Sequence, residues 1–344
     1  MYAYPLSFVK YDYVAREGAD GFQSLLTSWR FPMNLARLFS PLALFALAAA
    51  PPEALADDGG TSPVSQAARD LATSRGTAAI VHAQDLWHLW ALDAHGTVEQ
   101  ALRRAAAEPS RDAYERAYLR WLHGLARRRV GDAAGAERTA RELGYGDDWM
   151  VLGPFENREN SGFEEPIVPE LEDGRPLALG RTWTSKGHTV SFRHIDRAAP
   201  FGALDFGEFD TSEGGACWYA VARVKASGDL PFDGRVSLGS SGAVKVFVDG
   251  TRIGTDPIER GLDPERHAFP MTVDARGSRL VIKTCHRAHA PAMMVRVADA
   301  NGEPTAKVRL LASPDIGGAA TRGKLRPQTV PDAGLARRFE SREH

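Results

Sequence analysis

Cysteine is scarce in this chain, with two among 344 residues, and that scarcity excludes a disulfide-dense scaffold and any four-cysteine zinc module. An excess of charge of either sign is also missing. Lys and Arg total 42 against 44 Asp and Glu, a formal net charge of −2, so no global positive field argues for nucleic acid. Nor does any apolar run reach the roughly 20 residues that a membrane-spanning helix requires. A G-x-S-x-G nucleophile elbow, a phosphate loop and a dinucleotide fingerprint are all absent. What is present is ordinary for a globular protein: 43% apolar, 25% charged and 9% aromatic residues. The length predicts about two domains.

From Met33 the chain reads MNLARLFSPLALFALAAAPPEALADD. A basic stretch with Arg37, an apolar run from Leu38 to Ala50 and the small-x-small site Ala54-Leu55-Ala56 are the three parts of a secretory signal. The expectation is a signal peptide over 33–56, cleaved between Ala56 and Asp57, and a periplasmic or secreted protein with no transmembrane segment once mature. Residues 1–32 then read as an upstream extension, with Met33 the initiator. The alternative is a buried helix, Leu38 to Ala50, in a cytosolic domain. No cysteine follows the small residues, which argues against a lipid anchor.

Residues 64–145 are rich in Ala, Leu, Arg and Glu, good helix formers. Helices are predicted over Gln66 to Ser74, Thr77 to Leu92, from Thr97 to a stop at Pro109, and over Asp112 to Arg129. Thr97 and Gln100 have capping-box spacing. The stretch AYLRWLHGLARRRVGDAAGAERTARELG resembles one degenerate tetratricopeptide repeat, with Gly124 and Ala136 twelve apart where two helices would approach. It departs from that family at Arg127, where an aromatic is expected. Composition shifts at Gly144. Beyond it, short runs rich in Val, Phe and Thr alternate with Gly, Asp and Ser, the pattern of an all-β sandwich. Strands are predicted at Trp149 to Leu152, Val190 to Arg193, Trp218 to Lys225, Arg235 to Gly239, Val244 to Val248, Phe269 to Val273, Arg279 to Thr284 and Met294 to Ala298. Asp249-Gly250 supplies a type I′ hairpin turn.

GRVSLGSSGAVKVFVDGTRIGTD, with CWYAVARVKAS upstream and SRLVIKTCH downstream, resembles the galactose-binding-like jelly-roll domains that accompany glycoside hydrolases. Together with WMVLGPFENRENSGFEEPIVPE, the order is similar to exported bacterial proteins in which helical repeats precede such a sandwich and a transglutaminase-like domain sometimes follows. The resemblance implies an α+β chain: a small helical, tetratricopeptide-like domain at 64–145, then an antiparallel β-sandwich of galactose-binding-like jelly-roll type at 147–314. Residues 315–344 read as a disordered tail.

Chemistry-bearing residues are few. Glu164 and Glu165, Glu170 and Glu172, and Asp205, Glu208 and Asp210 are clustered carboxylates, and a glycosidase needs two carboxyls roughly 5 to 10 Å apart. They fall in expected loops, where acids are ordinarily solvated. Asp205, Glu208 and Asp210 offer oxygens to a structural calcium, though without a fixed loop spacing; no other cofactor is expected. Cys285, His286 and His289 form C-H-x-x-H, with His267 as a fourth metal-ligand candidate, but surface-loop histidines explain the pattern more simply. Cys217 and Cys285 sit at strand ends. Counting by twos places Cys217 with Tyr219 and Arg223, and Cys285 with Lys283, so in an oxidising compartment the two cysteines are a candidate disulfide. Trp149 and Trp218 read as core. Trp183, His188, Phe163, Phe201 and Arg260 fall in loops that could meet a ligand, and Trp183, between Thr182 and Thr184, is the ligand-binding candidate. Arg127-Arg128-Arg129 reads as a solvated helix end. The functional expectation is an exported, non-catalytic binding or scaffolding protein for a glycan or an envelope protein. The alternative is an accessory subunit, or a truncated remnant, of a larger envelope hydrolase or transglutaminase-like protein.

Overall fold

The computed structural model describes residues 62–167, 177, 179–185, 187–195, 200–209, 214–228, 231–288 and 290–312. The signal-like segment with Ala56 and Asp57, the pair Glu170 and Glu172, Asp210, His289 and the tail lie outside these residues. Among the described residues five α-helices precede the first strand: α1 Pro63–Thr73, α2 Thr77–His88, α3 Thr97–Ala107, α4 Ala113–Arg129 and α5 Ala133–Leu143. Asp112 opens α4 by accepting from the N–H groups of Tyr114 and Glu115, both at 3.0 Å. Asp132 opens α5 by accepting from Gly135 N–H at 2.8 Å. These bonds satisfy donors that a helix start leaves open. At α3 the capping box is not used. Gly96 holds the cap position, and the Asp93 carboxylate accepts from Thr97 and Val98 N–H at 2.9 and 2.8 Å. A longer side chain from four residues upstream replaces the Thr97 hydroxyl.

One buried ion pair ties the first helices together. Arg111 and Glu115 are in contact with both side chains 1% exposed. Arg111 Nη2 donates to the Leu71 carbonyl at 2.9 Å, at the end of α1, while Glu115 Oε2 accepts from Gly76 N–H at 2.8 Å, before α2. Helices α4 and α5 pack against each other, and the space at Gly124 is filled by Phe201. A Cβ at Gly124 would lie 2.4 Å from Phe201 Cζ. Phe201, expected in a ligand-facing loop, is instead buried between α4, α5 and the sandwich.

Two antiparallel sheets follow. The larger contains β1 Trp149–Glu156, β4 Arg193–Ile195, β6 Ala216–Ala226, β8 Ala243–Val248, β9 Thr251–Asp256, β11 Ser278–His286 and β13 Val308–Leu311, in the order β4-β1-β6-β11-β8-β9 with β13 also paired to β6. The smaller runs β10-β7-β12-β5, from His267–Val273, Phe232–Ser240, Ala292–Asp299 and Leu204–Asp205. A ribbon of β2 Thr182–Ser185 and β3 His188–Ser191 stands apart. The predicted run Val190 to Arg193 is thus broken between β3 and β4. Strand β6 shows why the sequence is apolar throughout. Trp218, Ala220, Ala222 and Val224 face the core between the sheets, whereas Cys217, Tyr219 and Val221 join a second buried cluster on the outer face, as two-residue alternation requires. Trp149 and Trp218 are core residues, 1% and 0% exposed. The chain is α+β, helices followed by an antiparallel sandwich. No helix among the described residues is long and apolar enough to cross a membrane.

The outer face of the smaller sheet meets α4 and α5 through Ala117, Ala136, Leu143, Tyr145, Phe201 and Met294. Beside this apolar contact lies a bidentate pair, Arg296 Nε to Glu265 Oε1 at 2.6 Å and Nη2 to Oε2 at 2.8 Å, both side chains 0% exposed. Tyr145 and Ser237 hydroxyls donate to the same carboxylate, and Arg296 Nη2 also reaches the Gly302 carbonyl at 3.0 Å. Glu265 adopts φ 62°, costly for a residue with a Cβ. Removing one partner of such a pair leaves an uncompensated buried charge. Glu265→Ala is therefore expected to cost about 3 to 5 kcal/mol, read as a lower urea midpoint.

The same loop carries two aspartates of opposite behaviour. Burial pushes Asp263 up to about 6, against the pull of Arg266 and with the push of Glu265. At Asp256 burial is outweighed by hydrogen bonds from His267 and Ile258 N–H and by the Arg260 charge, which hold it at about 2. A raised carboxyl binds more protons folded than unfolded, so its ionisation weakens the fold as pH rises from about 4 to 6. The Asp256 contribution is present above about pH 4 and lost toward pH 2. Asp263→Asn should leave stability unchanged near pH 4 and raise it by up to about 3 kcal/mol at pH 7, measured by denaturation at the two pH values.

Candidate functional site

Trp183 stands on the β2–β3 ribbon opposite Val190. It is half-buried, not exposed as its polar neighbours suggest. In a two-residue alternation Thr182 and Thr184 point to solvent while the indole turns toward the outer-face cluster of Leu152, Phe155 and Phe163. Its ring meets Phe192 edge-on, centroids 5.9 Å apart, and the Arg181 guanidinium carbon lies 5.4 Å from its centroid. The indole N–H is buried without a hydrogen-bond partner among the described residues. An indole ring and a guanidinium therefore meet on one side of the ribbon, while the Thr182 and Thr184 hydroxyls lie on the other, solvent side. His188 lies in β3, opposite Ser185.

Beneath the ribbon, the outer face of the larger sheet holds the two cysteines. They are direct register partners on β6 and β11, and their sulfurs are bonded at 2.01 Å. The short helix α6 Ser161–Glu164 lies over them. A Cβ at Gly162 would stand 3.0 Å from Cys217 Sγ and 2.2 Å from the Glu156 carbonyl, so only glycine permits this closure. The polar character of this face, visible in the sequence as Lys283, is real but buried. Lys283 Nζ donates to the Glu165 carbonyl at 2.6 Å, and Lys245, its cross-strand neighbour, reaches Glu164 at 3.2 Å and lies 4.6 Å from the Phe163 ring centroid. Glu164 is thus an ion-pair partner, and Phe163 is a buried platform rather than a ligand contact.

The remaining sequence candidates are dispersed. Asp205 Oδ1 accepts from Gly207 N–H at 2.8 Å. Burial, then the Asp205 charge, raises the Glu208 carboxyl. Among the described residues no group of three His, Cys, Asp or Glu side chains could hold a metal. His267 is not a surface histidine: it is buried in β10, stacked on Phe269 and 3.1 Å from Asp256. His286 lies 3.5 Å from Glu259, and Arg260 pairs with Asp256 at 2.6 Å. Ser240 bonds Thr284 at 2.9 Å inside the sandwich.

A feature that the sequence reading missed is a groove of about 530 Å³ between α3, α4, α5 and the turn after β12. Its walls carry Arg103, Arg120, His123 and Arg127 with Glu142 and Glu303. On α4 the signal was available: Arg116, Arg120, His123 and Arg127 repeat at helical spacing. Instead the run Arg127-Arg128-Arg129 drew attention, and it divides. Arg127 pairs with Asp132 at 2.8 Å, while Arg129 lies over Trp87 and Trp90, 5.5 and 5.0 Å from their centroids.

For the bonded cysteines, the unfolded, unreduced chain should show no reactive thiol on titration. Cys217→Ser with Cys285→Ser should cost about 2 to 4 kcal/mol in denaturant unfolding.

No protein-family profile matches the chain, and no curated protein matches it. Among solved structures it is similar to a PA14 sugar-binding domain from an RTX adhesin, at 8% identity and a TM-score of 0.27, over 52% of this chain and 100% of that one. A likeness at that TM-score assigns neither fold nor ligand.

Proposed function

We propose that the chain is an exported, non-catalytic recognition protein that takes a glycan at the β2–β3 ribbon. The observation carrying this reading is the arrangement around Trp183. A saccharide presents an apolar C–H face with hydroxyls at its rim, and it is matched by an aromatic surface beside a few placed polar groups. Trp183 offers the ring, and Arg181, two residues before it and so on the same side of the strand, sets a guanidinium beside that ring.

Two further features support the reading. The Cys217–Cys285 bond suits an oxidising compartment, in keeping with the signal-like segment before Ala56. Two of the clustered carboxylates have structural partners: Glu164 pairs with Lys245, and Asp205 accepts from the Gly207 N–H. The test is a glycan array with the purified chain, followed by titration of any hit. Trp183→Ala should weaken binding by about tenfold, equivalent to ~1.4 kcal/mol. Undiminished binding, or oligosaccharide hydrolysis abolished by a single carboxylate substitution, would overturn the proposal.

A further inference from the structure

The groove beside α4 has no part in the ribbon site, and its charges are only partly spent. His123 pairs with Glu99 at 2.9 Å, Arg127 with Asp132, and Arg116 with Glu303. Arg103 and Arg120 make no ion pair among the described residues. Arg103 is exposed on α3; Arg120 is half-buried on α4, two helical turns before Arg127, about 10.5 Å along the axis. Arg103 and Arg120 line one concave space of about 530 Å³, together with Ala106, Ala107 and Pro304. Guanidinium is the side chain best shaped for two-point capture of a carboxylate.

We infer that this groove is a second ligand site, for a carboxylate-bearing glycan such as a uronic-acid oligomer, an inference that rests on the glycan-recognition reading and names an anionic substrate class for it. Arg103 and Arg120 take the sugar carboxylate. Glu142 and Glu303 decide between a glycan and an acidic peptide. Their oxygens accept from sugar hydroxyls, whereas the side chains of a polyglutamate bring only acceptors to them. The small side chains of Ala106 and Ala107 let a pyranose ring lie close to α3.

The test is titration of the full chain with a fluorescently labelled tetramer of galacturonic acid, a neutral galactose tetramer and a polyglutamate peptide as separate probes. The expected result is uronate binding that weakens with salt and falls at least tenfold in Arg103→Gln/Arg120→Gln, with any neutral-tetramer binding at the ribbon unchanged in that double variant. Arg103→Gln alone alters an exposed side chain, so its smaller loss should appear without a change in thermal unfolding. The inference is overturned if the uronate does not bind, if the neutral tetramer binds equally in the groove, if the double variant binds normally, or if polyglutamate binds as tightly. Loss of uronate binding with a Trp183-dependent neutral glycan retained would defeat the groove alone. Groove-dependent uronate binding with Trp183→Ala silent on every glycan would defeat the ribbon alone.

Discussion

The Glu265–Arg296 pair is the interaction on which the layering depends. A sheet face that carries an arginine at its centre cannot be left dry unless the charge is matched, because an unpaired buried cation is far more costly than any packing gain nearby. Arg296 points out of the smaller sheet with Met294 and Ala298, while Met293, Val295 and Val297 point into the core. Glu265 arrives from the loop after β9 in a left-handed conformation, and Tyr145 arrives from the linker after α5. With Ser237 of β7, four separated stretches of chain must therefore meet for one carboxylate to be satisfied. The helices are held to the sandwich at a specific position and not merely by an apolar patch.

This constraint shapes both candidate surfaces. With the helical layer on the smaller sheet, the only outer face left to cover is that of the larger sheet, and α6 with the β2–β3 ribbon covers it. The cover is itself anchored by charge, through Lys245 and Lys283, and it closes over the Cys217–Cys285 bond. Trp183 is consequently a lid residue with one edge outward, and Phe163 lies beneath Lys245. On the opposite side, the approach of the turn at Glu303 to α4 turns a helix face into a groove.

Much of the architecture was legible in local pattern. The Ala- and Leu-rich composition marked the helical segment, and the helix expected from Asp112 to Arg129 is α4, with Asp112 as its cap rather than its first residue. The Asp249-Gly250 turn was visible because both residues must take positive φ there, as they do. Less legible was anything set by partners distant in sequence. Thr97 lost its capping role to Asp93, Gly124 was occupied by Phe201, and Val190 to Arg193 split where the ribbon leaves the sheet. The candidate site followed the same division. Trp183 was expected in a loop and exposed because polar residues flank it; it stands on a strand and is half-buried, since which face is outward depends on whether a cluster waits on the other side.

By itself, then, the sequence determined the order of helices and strands, the alternation that buries both faces of β6, and the pairing partners available to two cysteines. These are consequences of covalent geometry and hydrophobic period, which act over a few residues. Tertiary structure alone decided that His267 is buried against Asp256 and that Lys245 and Lys283 lie under a helix. It also decided that Arg103 and Arg120 share a groove. Burial and electrostatic environment belong to neighbours brought together by the fold, and no spacing along the chain encodes the desolvation that sets them.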